Sequence, residues 1–224
     1  METNFIKLCE NGNLEDVTNY LIQNNNMDVN TIKQGWIISC KCGHLDVAQY
    51  IYNYFDNKSV FIDISENLFI NACVNGRLEV AQWLFHINSQ LNPHIKISKK
   101  LFGSVCYYGK LEVAQWLLQL NPKFSIISEK VFRDVCIKGH LEIAQWLLQL
   151  NPNFNVISEE VFNDICIKGQ LGVSNWLETI YSKKYKTIKG VSENGVSYTI
   201  VSPLEFELDE FVMNENVSYV YQTF

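Results

Sequence analysis

Nowhere in this 224-residue chain does an apolar run reach the roughly 18 residues that a membrane span requires, which argues against a membrane-embedded helix. The N-terminal stretch METNFIKLCE has neither the basic lead nor the apolar core of a secretory signal. A basic stripe is missing too. Lys and Arg number 18 against 24 Asp and Glu, net −6, a balance that argues against a phosphate backbone, and so nucleic acid, as partner. The one basic cluster, KKYKTIK at 183–189, reads as a solvated linker. Cysteines number seven, and an odd count discourages a disulfide framework. What remains is a soluble intracellular body, expected in the cytoplasm. With 47% hydrophobic residues it has ample material for a core.

What is present is repetition. GHLEIAQWLLQLNP at 139–152 restates GKLEVAQWLLQLNP at 109–122, and looser versions begin at Gly12, Gly43, Gly76 and Gly169. The glycine intervals are 31, 33, 33, 30 and 30 residues. Segments 111–139 and 141–169 agree at 22 of 29 positions. Such a period marks an array in which no unit can bury its apolar face without a neighbour.

Each unit reads as two helices. Seven residues before the glycine stands an aromatic (Phe5, Trp36, Phe69, Phe102, Phe132, Phe162), and three before it a cysteine. That separation of four puts ring and thiol on one helix face. Ser65, Ser98, Ser128 and Ser158 are placed to cap the first helix. The glycine ends that helix through a left-handed turn. The second helix carries a wide apolar face, Leu141, Ile143, Ala144, Trp146, Leu147 and Leu148 in the fifth unit, until Asn-Pro stops it.

A helix ending at G-H-L-E, a second helix VAQWLL and a loop, at a period near 33, resemble ankyrin repeats across about four-fifths of the chain. The C..G.LEVAQWL…NP…ISE..F dialect is similar to the ankyrin repeats multiplied in giant DNA viruses of amoebae. Two elements of the consensus are replaced: T-P-L-H by SEKVF and its relatives, and G-A-D-V-N by NPNFNV. The resemblance implies an all-α solenoid of about six repeats over 1–180, at 1–30, 31–63, 64–96, 97–126, 127–156 and 157–180.

Six of the seven cysteines fall once per repeat at one position, where the ankyrin consensus has a small Ala. Neighbouring helices lie about 8–10 Å apart, beyond the roughly 7 Å limit of a disulfide, so these thiols read as core. Cys42 stands outside the pattern and is expected to be exposed; C-x-C offers too few ligands for zinc. GSVCYYGKL from Gly103 fails as a phosphate loop, with five residues between its glycines and Leu111 where Ser or Thr must stand. Glu15, Asp46, Glu79, Glu112 and Glu142 recur as a first-turn charge rather than as paired catalytic carboxylates. His44 and His140 follow the glycine, where the family uses His structurally, and His86 and His94 have no ligand spacing. Trp83, Trp116, Trp146 and Trp176 read as packing. The sequons at Asn57 and Asn216 mean little without secretion. No enzyme, cofactor or metal site emerges.

After Ile180 the period stops. Val196, Tyr198 and Ile200 alternate after Asn194-Gly195, a hairpin signal, and LEFEL and VSYVYQTF alternate also. Residues 181–224 are therefore expected to form a β-rich cap over the last repeat, or else an arm reaching a partner.

Stacked repeats build an extended surface, and the resemblance implies recognition rather than chemistry. The expected function is a protein–protein interaction module, viral and aimed at a host protein, and the chain is expected to be a monomer. The alternatives are an adaptor for ubiquitin ligation, for which no F-box-like or BTB-like segment is visible, and a structural virion component. Candidate partner-binding residues vary just before the glycines: Lys41, Val74, Asn75, Tyr107, Tyr108, Ile137, Lys138 and Lys168, with Tyr107 and Tyr108 as the expected hot spot.

Overall fold

The computed structural model describes residues 2–24, 26–54, 64–91, 95–125, 128–151, 164–165, 167–168, 171–181, 185–191, 197–203 and 221–222. The chain divides into two compact units, 1–122 and 123–224. Unit 1 is built of helix pairs: α1 (Glu2–Asn11) with α2 (Leu14–Gln23), α3 (Val29–Cys42) with α4 (Leu45–Tyr54), α5 (Glu66–Val74) with α6 (Leu78–Leu91), and α7 (Lys99–Tyr107) with α8 (Leu111–Leu120). Helix α1 packs on α3, α3 on α5 and α5 on α7, so the first helices of the pairs stand side by side in chain order. Unit 2 holds the pair α9 (Glu129–Ile137) and α10 (Leu141–Leu150), then α11 (Leu171–Tyr181) and strands β1 (Tyr185–Val191), β2 (Ser197–Pro203) and β3 (Tyr221–Gln222).

The boundaries follow from the capping chemistry. Ser65, Ser98 and Ser128 accept hydrogen bonds from the backbone N–H of Leu68, Leu101 and Val131 at 3.3, 3.1 and 3.4 Å. Asp28 takes that role for α3, accepting from Asn30 and Thr31 N–H at 2.8 and 3.0 Å and from the Thr31 hydroxyl. These bonds, the hydroxyl's first, hold its carboxyl below the ordinary carboxylate range. At the other end, Gly12, Gly43, Gly76, Gly109 and Gly139 all adopt positive φ, between 74° and 92°. The residue after the glycine donates back to a carbonyl five residues earlier, as His44 to Ser39, Arg77 to Ala72, Lys110 to Val105 and His140 to Val135. These bonds close α3, α5, α7 and α9 as Schellman turns. Asn121 and Asn151 end α8 and α10 outside the helical region, at φ −142° and −133°, as a following proline favours.

Consecutive pairs interlock at these turns. The His44 ring lies over Gly12, and its Nε2–H donates to the Glu10 carbonyl at 2.8 Å. The Arg77 stem crosses Gly43, and the Lys110 stem crosses Gly76. Gly12, Gly43 and Gly76 thus serve twice, as the left-handed residue and as the flat surface on which the next pair rests. In the core, Phe5, Trp36, Phe69, Phe102 and Phe132 are buried, as are Cys9, Cys40, Cys73, Cys106 and Cys136. The second-helix tryptophans reach back to the preceding pair. Trp83 meets Trp36 and Tyr52 edge-on at 6.5 and 5.4 Å, and Trp116 meets Phe69 and Phe85 at 6.3 and 5.9 Å. Such pairs add about 0.5–1.5 kcal/mol each beyond their burial.

The apolar face of the second helix is narrower than its composition implies. In α10 only Ile143, Ala144 and Leu147 are buried, while Leu141, Trp146 and Leu148 flank them half-buried. The repeat at 157–180 is described only in part: Ser158, Phe162, Cys166 and Gly169 lie outside the described residues, as do Asn57, His94, Asn216 and the LEFEL segment. In the tail, β1 pairs antiparallel with β2, Val191 opposite Ser197, so the two strands flank the Asn194-Gly195 stretch. Strand β3 adds at Tyr198 and Thr199, and β1 contacts α11.

Two glycines separate turn glycine from helical glycine. Gly43→Ala forces an L-residue to φ +92° and brings its Cβ to 2.5 Å from Arg77 Cδ. It should lose about 1–2 kcal/mol in chemical denaturation. Gly172→Ala lies within α11 with no described atom within 4 Å of the new Cβ, and should gain up to about 1 kcal/mol. Changes of the same sign in the two variants would contradict the stacked-turn geometry.

Candidate functional site

The first helices of unit 1 present an outer face whose residues recur every four positions. On α7 this column is Lys100, Ser104 and Tyr108; on α5 it is Asn67, Asn71 and Asn75; on α3 it is Gln34, Ile38 and Cys42, with Lys41 beside it. All are exposed or half-buried, and the packing of α3 on α5 and α5 on α7 sets the columns next to one another. A spacing of four keeps side chains on one helix face.

Tyr107 and Tyr108 close the α7 column. Helix α7 ends at Tyr107, and Tyr108 is its C-cap, with its N–H bonded to the Ser104 and Cys106 carbonyls. Two consecutive residues cannot point the same way, and they separate: Tyr107 is half-buried, whereas Tyr108 is 55% exposed. Their rings meet edge to face, centroids 5.2 Å apart at 90°. The half-buried ring thus steadies the exposed one.

The remaining candidates differ in availability. Lys41 is exposed in the last turn of α3. Val74 is half-buried, and Asn75 is exposed but partly engaged, its Nδ2 donating to the Asn71 carbonyl at 2.8 Å. These and the tyrosines share the first-helix face of unit 1. In unit 2, Ile137 is half-buried at the end of α9 and Lys138 is its exposed C-cap. Lys168 is also exposed, yet its Nζ sits 2.6 Å from Asp164 Oδ1, while Asp164 Oδ2 is 3.8 Å from Arg133 Nη1. This cross-repeat ion triad makes Lys168 a structural participant first. The triad escapes a sequence reading because Arg133 and Asp164 are 31 residues apart. The four-residue columns are legible from spacing alone, since their members stand nine, five and one residues before each glycine.

The thiols carry no accessible chemistry in the core. Burial pushes Cys9, Cys73 and Cys106 up to about 12, for Cys9 against a small opposing effect of the Ser39 hydroxyl. Burial likewise raises Cys40 and Cys136 well above the usual thiol range. Cys42 is half-buried rather than exposed.

No protein-family model matches the chain, and no curated protein matches it. Ten solved chains do. One is the human ASB11 ankyrin repeat domain, at a TM-score of 0.50 and 16% sequence identity, covering 86% of this chain and 88% of that one. The likeness shows the fold: the helix pairs are those of an ankyrin repeat domain.

Thiol reactivity tests the burial pattern directly. Under native conditions a water-soluble maleimide should modify Cys42 well before Cys9, Cys40, Cys73, Cys106 or Cys136, as read by peptide mass mapping. Because the folded state keeps these five thiols protonated above their ordinary 9.0, their contribution to stability is complete below pH 9. It declines as the pH rises toward the folded values. Modification of any of the five at a rate matching Cys42 would contradict the core assignment.

Proposed function

We propose that the chain is a non-catalytic protein-recognition module that holds a protein partner on the first-helix face, with Tyr107 and Tyr108 as its hot spot. The observation that carries the reading is Tyr108, a large aromatic 55% exposed at the end of α7 and set edge-on by Tyr107. Interface energy concentrates in a few aromatic and Arg anchors, and a ring already held in place loses little entropy on binding. The ankyrin repeat fold supports the reading, since a stack of helix pairs offers a broad, rigid face.

The proposal extends to setting. Free cysteines throughout the described residues suit a reducing compartment, hence the cytoplasm. The repeat dialect, similar to that of giant-virus ankyrin repeats, supports a viral protein acting on a host protein. Contact between β1 and α11 supports the tail as a cap on the last repeat. Ligase subunits among co-purifying proteins would instead favour an adaptor for ubiquitin ligation, and virion proteins a structural component.

Replacing both tyrosines by Ala should leave the melting temperature within a degree or two and weaken binding of a co-purifying partner by more than tenfold, about 1.4 kcal/mol. A smaller loss with an intact fold would move the hot spot away from α7.

A further inference from the structure

The charges of unit 1 are sorted by helix. Its second helices, α2, α4, α6 and α8, carry five carboxylates (Glu15, Asp16, Asp46, Glu79 and Glu112) and no Lys or Arg. Its first helices, α1, α3, α5 and α7, carry five lysines (Lys7, Lys33, Lys41, Lys99 and Lys100) against three carboxylates, Glu2, Glu10 and Glu66. The first helices of unit 1 thus sum to +2 (five minus three) where the second helices sum to −5, although the chain as a whole carries −6. Lys99 and Lys100 open α7 where α5 and α9 have Glu66 and Glu129. Cations at a helix N-terminus oppose the macrodipole, so local helix stability does not account for them. Lys41 and Lys100 are exposed, and no ion pair among the described residues engages either.

Between these lysines lies a neutral row. Asn67, Asn71 and Asn75 occupy α5, the helix between α3 with Lys41 and α7 with Lys100 and Tyr108. Among the described residues nothing bonds to the side-chain amides of Asn67 and Asn71. An amide both donates and accepts, which matches the backbone of an extended peptide. The lysines on either side would meet carboxylates, and Tyr108 supplies the apolar anchor.

We infer that the first-helix face of unit 1 receives an acidic, extended segment of a partner protein. The inference rests on the recognition reading above and names the chemistry of its partner. The segment's backbone lies along the asparagine row, and its carboxylates pair with Lys41 and Lys100. Exposed pairs of this kind steer and orient more than they tighten, so binding weakens with rising salt.

Selection of a displayed library of random peptides, about a dozen residues long, against the immobilised full chain tests this. Recovered sequences should be enriched in Asp and Glu over the unselected library. The tightest of them, as a labelled synthetic peptide, should bind Lys41→Glu/Lys100→Glu at least about tenfold more weakly while the melt stays unchanged. Recovered sequences without acidic enrichment, or affinity that survives the double substitution, would overturn the inference. If such peptides are lost in Tyr107→Ala/Tyr108→Ala alone, the recognition reading stands and only the acidic partner falls. A labelled single-stranded oligonucleotide that binds as tightly and loses to the same lysine substitutions assigns the face to nucleic acid and likewise overturns it. If no peptide is recovered the acidic segment is rejected, and the tyrosine variants decide separately whether recognition itself fails.

Discussion

Everything in the helix-pair region depends on a glycine turn that must be left-handed and flat at once. Positive φ closes the first helix against its own carbonyls, and the missing Cβ lets the next pair approach. His44 on Gly12, Arg77 on Gly43 and Lys110 on Gly76 are the same contact made three times. A side chain at the glycine would fail on both counts, by backbone strain and by collision. The offset from one pair to the next is set here, and the aromatic contacts fit that offset: Trp83 reaches Trp36 and Trp116 reaches Phe69 only because the pairs stand in this register. One special approach lies outside the turns, at Gly35, where a Cβ would strike the Phe5 ring and come within 2.9 Å of Cys9 Sγ. Leu68, Leu101 and Val131 occupy the equivalent position elsewhere, so α1 sits closer to its neighbour than the repeat rule implies.

The stacking creates a face with its own chemistry. Side-by-side first helices turn a spacing of four within each helix into a grid, and what stands at the grid points is free to vary because the buried ring and thiol fix the frame. Lys100, the asparagine row and Tyr108 stand at such points, with Lys41 and Tyr107 beside them. The second helices keep carboxylates in their first turns, where the dipole favours them. Sorting of charge between the two sets of helices therefore has a stabilising cause on one side only. On the other side Lys99 and Lys100 act against the dipole, and the surface they create is what remains to explain them.

Much of this was legible in the sequence because repetition in register shows which positions are equivalent. The aromatic and cysteine column, the serine caps and the glycine stops needed only counting. Contacts between repeats were not legible, since a residue's neighbour in the next repeat depends on an offset no single repeat encodes. For that reason the ion pair from Asp164 to Arg133 in the preceding repeat was hidden, whereas the Lys168–Asp164 pair, four residues apart on one helix, follows from spacing. The charge sorting was hidden for another reason. Net charge averages over both sets of helices, and the first-helix lysines are too far apart in the chain to read as a basic run.

The central claim is that the first-helix face is the working surface, and photo-crosslinking from chosen positions tests it most directly. A photoreactive residue placed at exposed Asn67 on α5 should capture a co-purifying partner, whereas one at exposed Gln82 on the neighbouring α6 should not. Capture from position 82 with none from position 67 would place the partner on the second helices and contradict the account.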